Sequence, residues 1–144
     1  MDRIFTAADE IKKVIKGKDD IIEQVMIAVL SGGHVLLEDI PGVGKTTLAT
    51  AFSRVMGLKY KRMQFTPDVM PSDVSGFSMY NSKTNDFEFR EGAVMCNLFL
   101  ADEINRASPK AQSALLEIME ELQISADGAT YKLPVPFMAL ATQK

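Results

Sequence analysis

Cysteine and histidine are nearly missing from this chain of 144 residues, where Cys96 and His34 stand alone. One thiol forms no internal disulfide, and one cysteine with one histidine makes no zinc cluster. Disulfide-scaffold and structural-metal folds are therefore excluded. Long apolar runs are missing too. The longest, Val25 to Leu30, has six residues against the roughly twenty that span a bilayer. The start, Met1-Asp2-Arg3-Ile4-Phe5, leads into a charged amphipathic stretch rather than a secretory h-region, so the expected setting is the cytoplasm. Nor is there a positive excess. Sixteen basic and 19 acidic residues leave a net charge of −3, which argues against bulk electrostatic binding of nucleic acid.

What remains is the profile of one ordinary globular domain, 47% hydrophobic and 24% charged. A chain of this length buries roughly 68–70% of its unfolded surface and needs no covalent staple. No repeat, low-complexity segment or interdomain linker interrupts it.

Ile4, Ala7, Ala8, Ile11, Val14 and Ile15 recur at helical spacing, with Gly17 as terminator. A second helix opens at Asp19 or Asp20, where Asp20 and Glu23 have capping-box spacing, and its apolar content through Leu30 predicts deep burial. Ser31-Gly32-Gly33 stops it. His34 to Glu38 reads as a buried strand whose start His34 caps, Thr46 to about Met56 as a helix, and Tyr60 to Phe65 as a second strand. Thr66-Pro67-Asp68 and Pro71-Ser72-Asp73 mark a loop, and Gly76 to Tyr80 with Phe87 to Arg90 form a hairpin around a polar turn. Leu98 to Ala101 is a further buried strand. Ser108 as N-cap and Pro109 as first residue start a helix with an expected inner stripe of Leu115, Leu116, Met119 and Leu122. A hairpin around Asp127-Gly128 and a strand from Val135 to Thr142 complete the order. Strands alternating with helices define a three-layer α/β fold with a parallel sheet.

Chemistry concentrates in two places. Asp39-Ile40-Pro41-Gly42-Val43-Gly44-Lys45-Thr46 is the phosphate-binding loop pattern G-x-x-x-x-G-K-[ST], the Walker A motif, with Asp39 in place of its first glycine. Gly42 and Gly44 let the backbone approach phosphate, so that its N–H groups and the helix N-terminus face the anion. Lys45 would reach the β- and γ-phosphates, and Thr46 would place its hydroxyl on Mg²⁺. The candidate nucleotide-binding set is Pro41, Gly42, Val43, Gly44, Lys45, Thr46 and Thr47. The second place is Leu98-Phe99-Leu100-Ala101-Asp102-Glu103, an apolar strand ending in two carboxylates, the Walker B arrangement. Asp102 would hold the metal, and Glu103 would act as base toward an attacking water. Cys96 and the nine methionines read as packing residues, and Glu117, Glu120 and Glu121 as a solvated helix face.

These motifs and their neighbours resemble the MoxR branch of the AAA+ ATPases. The resemblance rests on Gly33 to Thr46, on Met63-Gln64-Phe65-Thr66-Pro67-Asp68-Val69-Met70-Pro71-Ser72-Asp73-Val74-Ser75-Gly76, on Leu100-Ala101-Asp102-Glu103-Ile104-Asn105-Arg106-Ala107-Ser108-Pro109-Lys110, on Gln112 to Glu117 and on Pro136 to Gln143. It implies a P-loop ATPase using ATP and Mg²⁺, working in a ring, commonly hexameric, that remodels or matures client proteins, often beside a von Willebrand A-type partner. It also carries Ile15 and Gly17 over as a border of the adenine, where helix logic alone gives a stripe residue and a terminator. The hairpins near Met79 to Phe89 and Ile124 to Leu133 match insertions on the central side of such rings; as plain surface hairpins they need no function. Asn105 and Arg106 either reach a neighbouring subunit or serve as a cap and a solvated charge.

The family pattern continues past Lys144 with a γ-phosphate-sensing Asn, an arginine finger, a fifth strand and a helical lid. The chain is thus expected to be the N-terminal part of a longer ATPase, weak or inactive in turnover by itself, with His34 to Glu38 left as an apolar sheet edge. Two other readings compete. One is a nucleotide-binding or interaction module without turnover. The other, a small P-loop kinase or GTPase, is weaker: no Asn-Lys pair supplies a guanine-reading motif and no kinase lid is evident.

Overall fold

In the computed structural model, which describes residues 2–14, 19–38 and 44–143, two helices precede the first strand. α1 (Asp2–Val14) turns Ala8 and Ile11 inward, and α2 (Asp19–Ser31) buries Ile22, Val25 and Met26 at the spacing of one helical stripe. The deep burial expected of α2 is not found. Ile27 and Leu30 are 64% and 54% exposed, because only the stripe around Ile22, Val25 and Met26 joins the core.

Next come β1 (Val35–Glu38), α3 (Lys45–Met56) and β2 (Tyr60–Gln64). A five-residue helix, α4 (Pro71–Ser75), stands where the prolines read as a loop. Pro71 is pre-organised for a first helical turn, and the Asp73 carboxylate accepts the Met70 N–H at 2.8 Å. β3 (Gly76–Asn81) and β4 (Asp86–Glu91) form the expected hairpin, each slightly longer than its apolar pattern. Its base is backbone packed on backbone: a Cβ on Gly92 would overlap the Val74 carbonyl, and one on Gly76 the Arg90 carbonyl.

β5 (Leu98–Asp102) is followed by a 3₁₀ turn (Ile104–Arg106) and by α5 (Pro109–Glu121), where the Ser108 hydroxyl accepts the Ala111 N–H at 3.2 Å as the predicted N-cap. The inner face of α5 is Ala111, Leu115 and Ile118, with Met119 partly buried beside it; the expected Leu116 and Leu122 are 62% and 46% exposed. Leu116 lies about 100° around the helix from Leu115, and Leu122 falls past the helix end. β6 (Gln123–Ala126) and β7 (Ala129–Lys132) make the second hairpin. β8 (Met138–Gln143) begins three residues later than the apolar pattern at Val135 indicates. Pro136 has no N–H for a ladder, and Val135 is 89% exposed.

The main sheet is parallel, in the order β1-β8-β5-β2. β5 is nearly continuous apolar sequence because both of its faces are covered. Leu98 and Leu100 enter one core with Ile11, Ile22, Leu48 and Phe52, while Phe99 and Ala101 enter the other with Phe65, Val74, Leu115 and Ile118. That alternation across the pleat makes three layers. β1 lies at one edge, as expected, with Leu36 50% exposed. Among the described residues no helix is long and apolar enough to cross a membrane.

Candidate nucleotide and metal site

All four strands of the sheet point the same way, so β1 and β5, separated only by β8, have their carboxyl ends at one edge of it. Ligands of open α/β sheets bind at that carboxyl-end edge. On the β1 side, Gly44 caps α3 in the left-handed conformation (φ 60°, ψ 54°), which suits a residue without Cβ, and no side chain caps the helix. The first-turn N–H groups of α3 therefore have no side-chain acceptor at their cap, which is the arrangement that receives an anion. Lys45 opens the helix, and Thr46 and Thr47 follow with exposed side chains. The remaining candidates of this loop, Pro41, Gly42 and Val43, together with Asp39 and the adenine-border candidates Ile15 and Gly17, lie outside the described residues.

On the β5 side, Asp102 ends the strand and Glu103 takes a left-handed turn at φ 53°. That conformation costs a non-glycine residue roughly 1–2 kcal/mol, which the surroundings must offset. They do here. The Glu103 N–H donates to Thr142 Oγ1 at 3.0 Å, and the Thr142 hydroxyl donates to Asp102 Oδ1 at 2.5 Å. Arg62 Nη2 on β2 donates to Asp102 Oδ2 at 2.7 Å, and Arg106 Nη1 donates to Glu103 Oε2 at 3.2 Å. Both carboxylates are sheltered, at 20% and 17% side-chain exposure, and each faces a guanidinium. Arg106 is thus engaged within its own chain.

Sequence reasoning placed Asp102 and Glu103 together and missed Arg62 and Thr142. The available signal was a basic residue inside the alternating strand Tyr60 to Phe65 and a hydroxyl at the end of the apolar run Phe137 to Ala141. Among the described residues no group of three or more His, Cys, Asp or Glu side chains could hold a metal, so a cation at Asp102 needs oxygen ligands from elsewhere. His34 does not belong to the site. Its Nδ1 accepts the Ala139 N–H at 2.9 Å, which ties the start of β1 to β8, and burial lowers its pKa against the Met119 backbone hydrogen bond that raises it. Burial pushes the Cys96 thiol up to about 11, so it stays protonated near neutral pH as a packing residue.

Comparison with known proteins agrees with this geometry. The family model of the ATPase family associated with various cellular activities (AAA) matches residues 34–144. The uncharacterized protein YeaC of Bacillus subtilis is 55% identical over 137 residues, covering 95% of this chain and 43% of that protein. The chaperone MoxR1 of Mycobacterium tuberculosis is 47% identical over 134 residues, covering 93% of this chain and 36% of its own length. The solved structure of a "putative ATPase" from Cytophaga hutchinsonii superposes with a TM-score of 0.87 at 43% identity, over 99% of this chain and 43% of that one. The chain belongs to the AAA+ ATPases, in their MoxR family, and has their P-loop α/β fold. It spans about two fifths of the length of the relatives it matches.

Proposed function

We propose that this chain binds ATP with Mg²⁺ and hydrolyses it, as part of a MoxR-type ATPase that works in a ring, hexameric when full length, to remodel or mature client proteins in the cytoplasm. A von Willebrand A-type protein is the proposed partner. Residues 1–144 are proposed as part of the AAA+ α/β domain, with the fifth strand and helical lid outside them. The observation that carries this reading is the acidic pair at the end of the buried central strand, on the sheet edge where β1 also ends, together with the N-terminus of α3 that no side chain caps.

The residues present fit the two ligands by their chemistry. The Thr46 hydroxyl and the Asp102 carboxylate are hard oxygen donors of the kind Mg²⁺ takes, and water and phosphate oxygens would fill the remaining positions. When bound, Mg²⁺ neutralises charge on the β- and γ-phosphate oxygens. Lys45 is proposed to meet the same phosphates as a point charge, with the backbone at Gly42 and Gly44 close enough to donate N–H groups, and Pro41, Val43 and Thr47 completing the loop. Glu103 is proposed to accept the proton of the attacking water, and Ile15 and Gly17 to border the adenine.

A second reading is a nucleotide-binding or interaction module without turnover. Phosphate release separates the two readings. The nucleotide site itself is tested with Asp102→Asn. In calorimetric titrations with ATP, the variant is expected to bind as wild type does in EDTA and to lose the tightening that Mg²⁺ brings, by about tenfold or more. A variant that keeps the full Mg²⁺ effect would remove Asp102 from the metal site.

A further inference from the structure

Thr142 is fully buried, at 0% exposure, at the carboxyl end of a strand that is otherwise mostly apolar and buried. Its hydroxyl bonds twice, and both bonds go to the acidic pair: it donates to Asp102 Oδ1 at 2.5 Å and accepts the Glu103 N–H at 3.0 Å. The first distance is at the short end of the range for a hydroxyl on a carboxylate, where such bonds are strongest. The parallel register that pairs Ala101 with Ala141 brings Asp102 and Thr142 side by side, and the register of β2 with β5 brings Arg62 to the other carboxylate oxygen at 2.7 Å. The carboxylate is thereby gripped from both neighbouring strands.

We propose that Thr142 is a positioning residue of this site: its single hydroxyl orients the Asp102 carboxylate for the cation and holds the Glu103 backbone in its left-handed turn, so that the metal-side and water-side acids are set as one unit. This rests on the nucleotide reading above. A valine of the same shape would fill the space but leave Oδ1 without this donor and the Glu103 N–H without this acceptor.

The test is calorimetric titration of the chain with ATP, in Mg²⁺ and in EDTA, for wild type, Thr142→Val and Thr142→Ser, with melting temperatures recorded for each. Thr142→Val is expected to lose about 10- to 100-fold of the Mg²⁺-dependent affinity while its affinity in EDTA stays at the wild-type value. Thr142→Ser, which keeps the hydroxyl, is expected to restore the Mg²⁺ effect. Should Thr142→Val not fold, Thr142→Ala carries the same expectation. A hydroxyl-free variant with the full Mg²⁺ effect, an equal loss with and without Mg²⁺, or no rescue by serine would overturn the proposal. Wild type that binds no ATP at all would overturn it together with the nucleotide reading, whereas normal wild-type binding alongside a Mg²⁺-responsive Thr142→Val would overturn this inference alone.

Discussion

Glu103→Gln is expected to slow ATP hydrolysis by about 10²–10⁴-fold while leaving ATP binding intact, because the change removes the proposed general base and little else. Glutamine keeps the volume of the side chain, and its amide oxygen still accepts from Arg106, which donates to Glu103 Oε2 at 3.2 Å in this structure. The backbone bond from Glu103 N–H to Thr142 is also untouched. The variant therefore preserves the left-handed turn and loses only the capacity to take a proton. Single-turnover conversion of labelled ATP reads a slow rate directly, with nucleotide binding measured on the same sample. Hydrolysis at the wild-type rate in Glu103→Gln would assign the base to another residue.

The second large effect is structural. Phe99→Ala is expected to cost about 3–5 kcal/mol of stability, the range for removing a large aromatic side chain from a core. Phe99 is fully buried on β5, with β2 on one side and β8 on the other, and meets Phe65 edge-to-face at 6.4 Å between ring centroids. Against a total of roughly 5–15 kcal/mol for a domain, such a loss would bring the chain close to unfolding. Phe87, 64% exposed in the first hairpin, offers a control whose removal is expected to stay within about 0.5 kcal/mol. Urea unfolding checks both. A cost below about 1 kcal/mol for Phe99→Ala would mean that the central strand is not the packing centre described here.

The parts of this fold that were legible in the sequence are those coded locally. The Ser108-Pro109 pair marks the start of α5 by capping chemistry, and Leu98 to Ala101 reads as a strand covered on both faces because its apolar run is unbroken. The structure departs from the local pattern where a residue type has two readings. Proline marks a loop or a first helical turn, and at Pro71 the Asp73 carboxylate decided for the helix. In α5, Leu116 is as apolar as Leu115, and only the position of the second core against the helix selects Ala111, Leu115 and Ile118.

The candidate site divides along the same line. Gly44, Lys45, Thr46, Asp102 and Glu103 are visible as short motifs because the chemistry needs them adjacent in the chain. Arg62 and Thr142 lie 40 residues from Asp102 on either side and reach it only through the register of three parallel strands. Nothing in local periodicity specifies that register. Arg106, open in sequence between a subunit contact and a solvated charge, is placed by an ion pair three residues back along the chain.

The two hairpins also meet. Phe89 of the first stacks on Tyr131 of the second at 3.9 Å between centroids and 11° between planes. They are therefore packed on each other and on the second core rather than standing as separate surface loops.

Whether this chain carries a nucleotide site is decided by calorimetric titration of the folded chain with Mg-ATP, beside Lys45→Ala. One saturable site is expected, whose affinity falls about 10- to 100-fold in the variant, the loss expected from one charge-assisted contact to phosphate. A folded wild-type chain that takes up no ATP would mean that no such site is formed, and a Lys45→Ala chain that binds it equally well would place the phosphates away from Lys45.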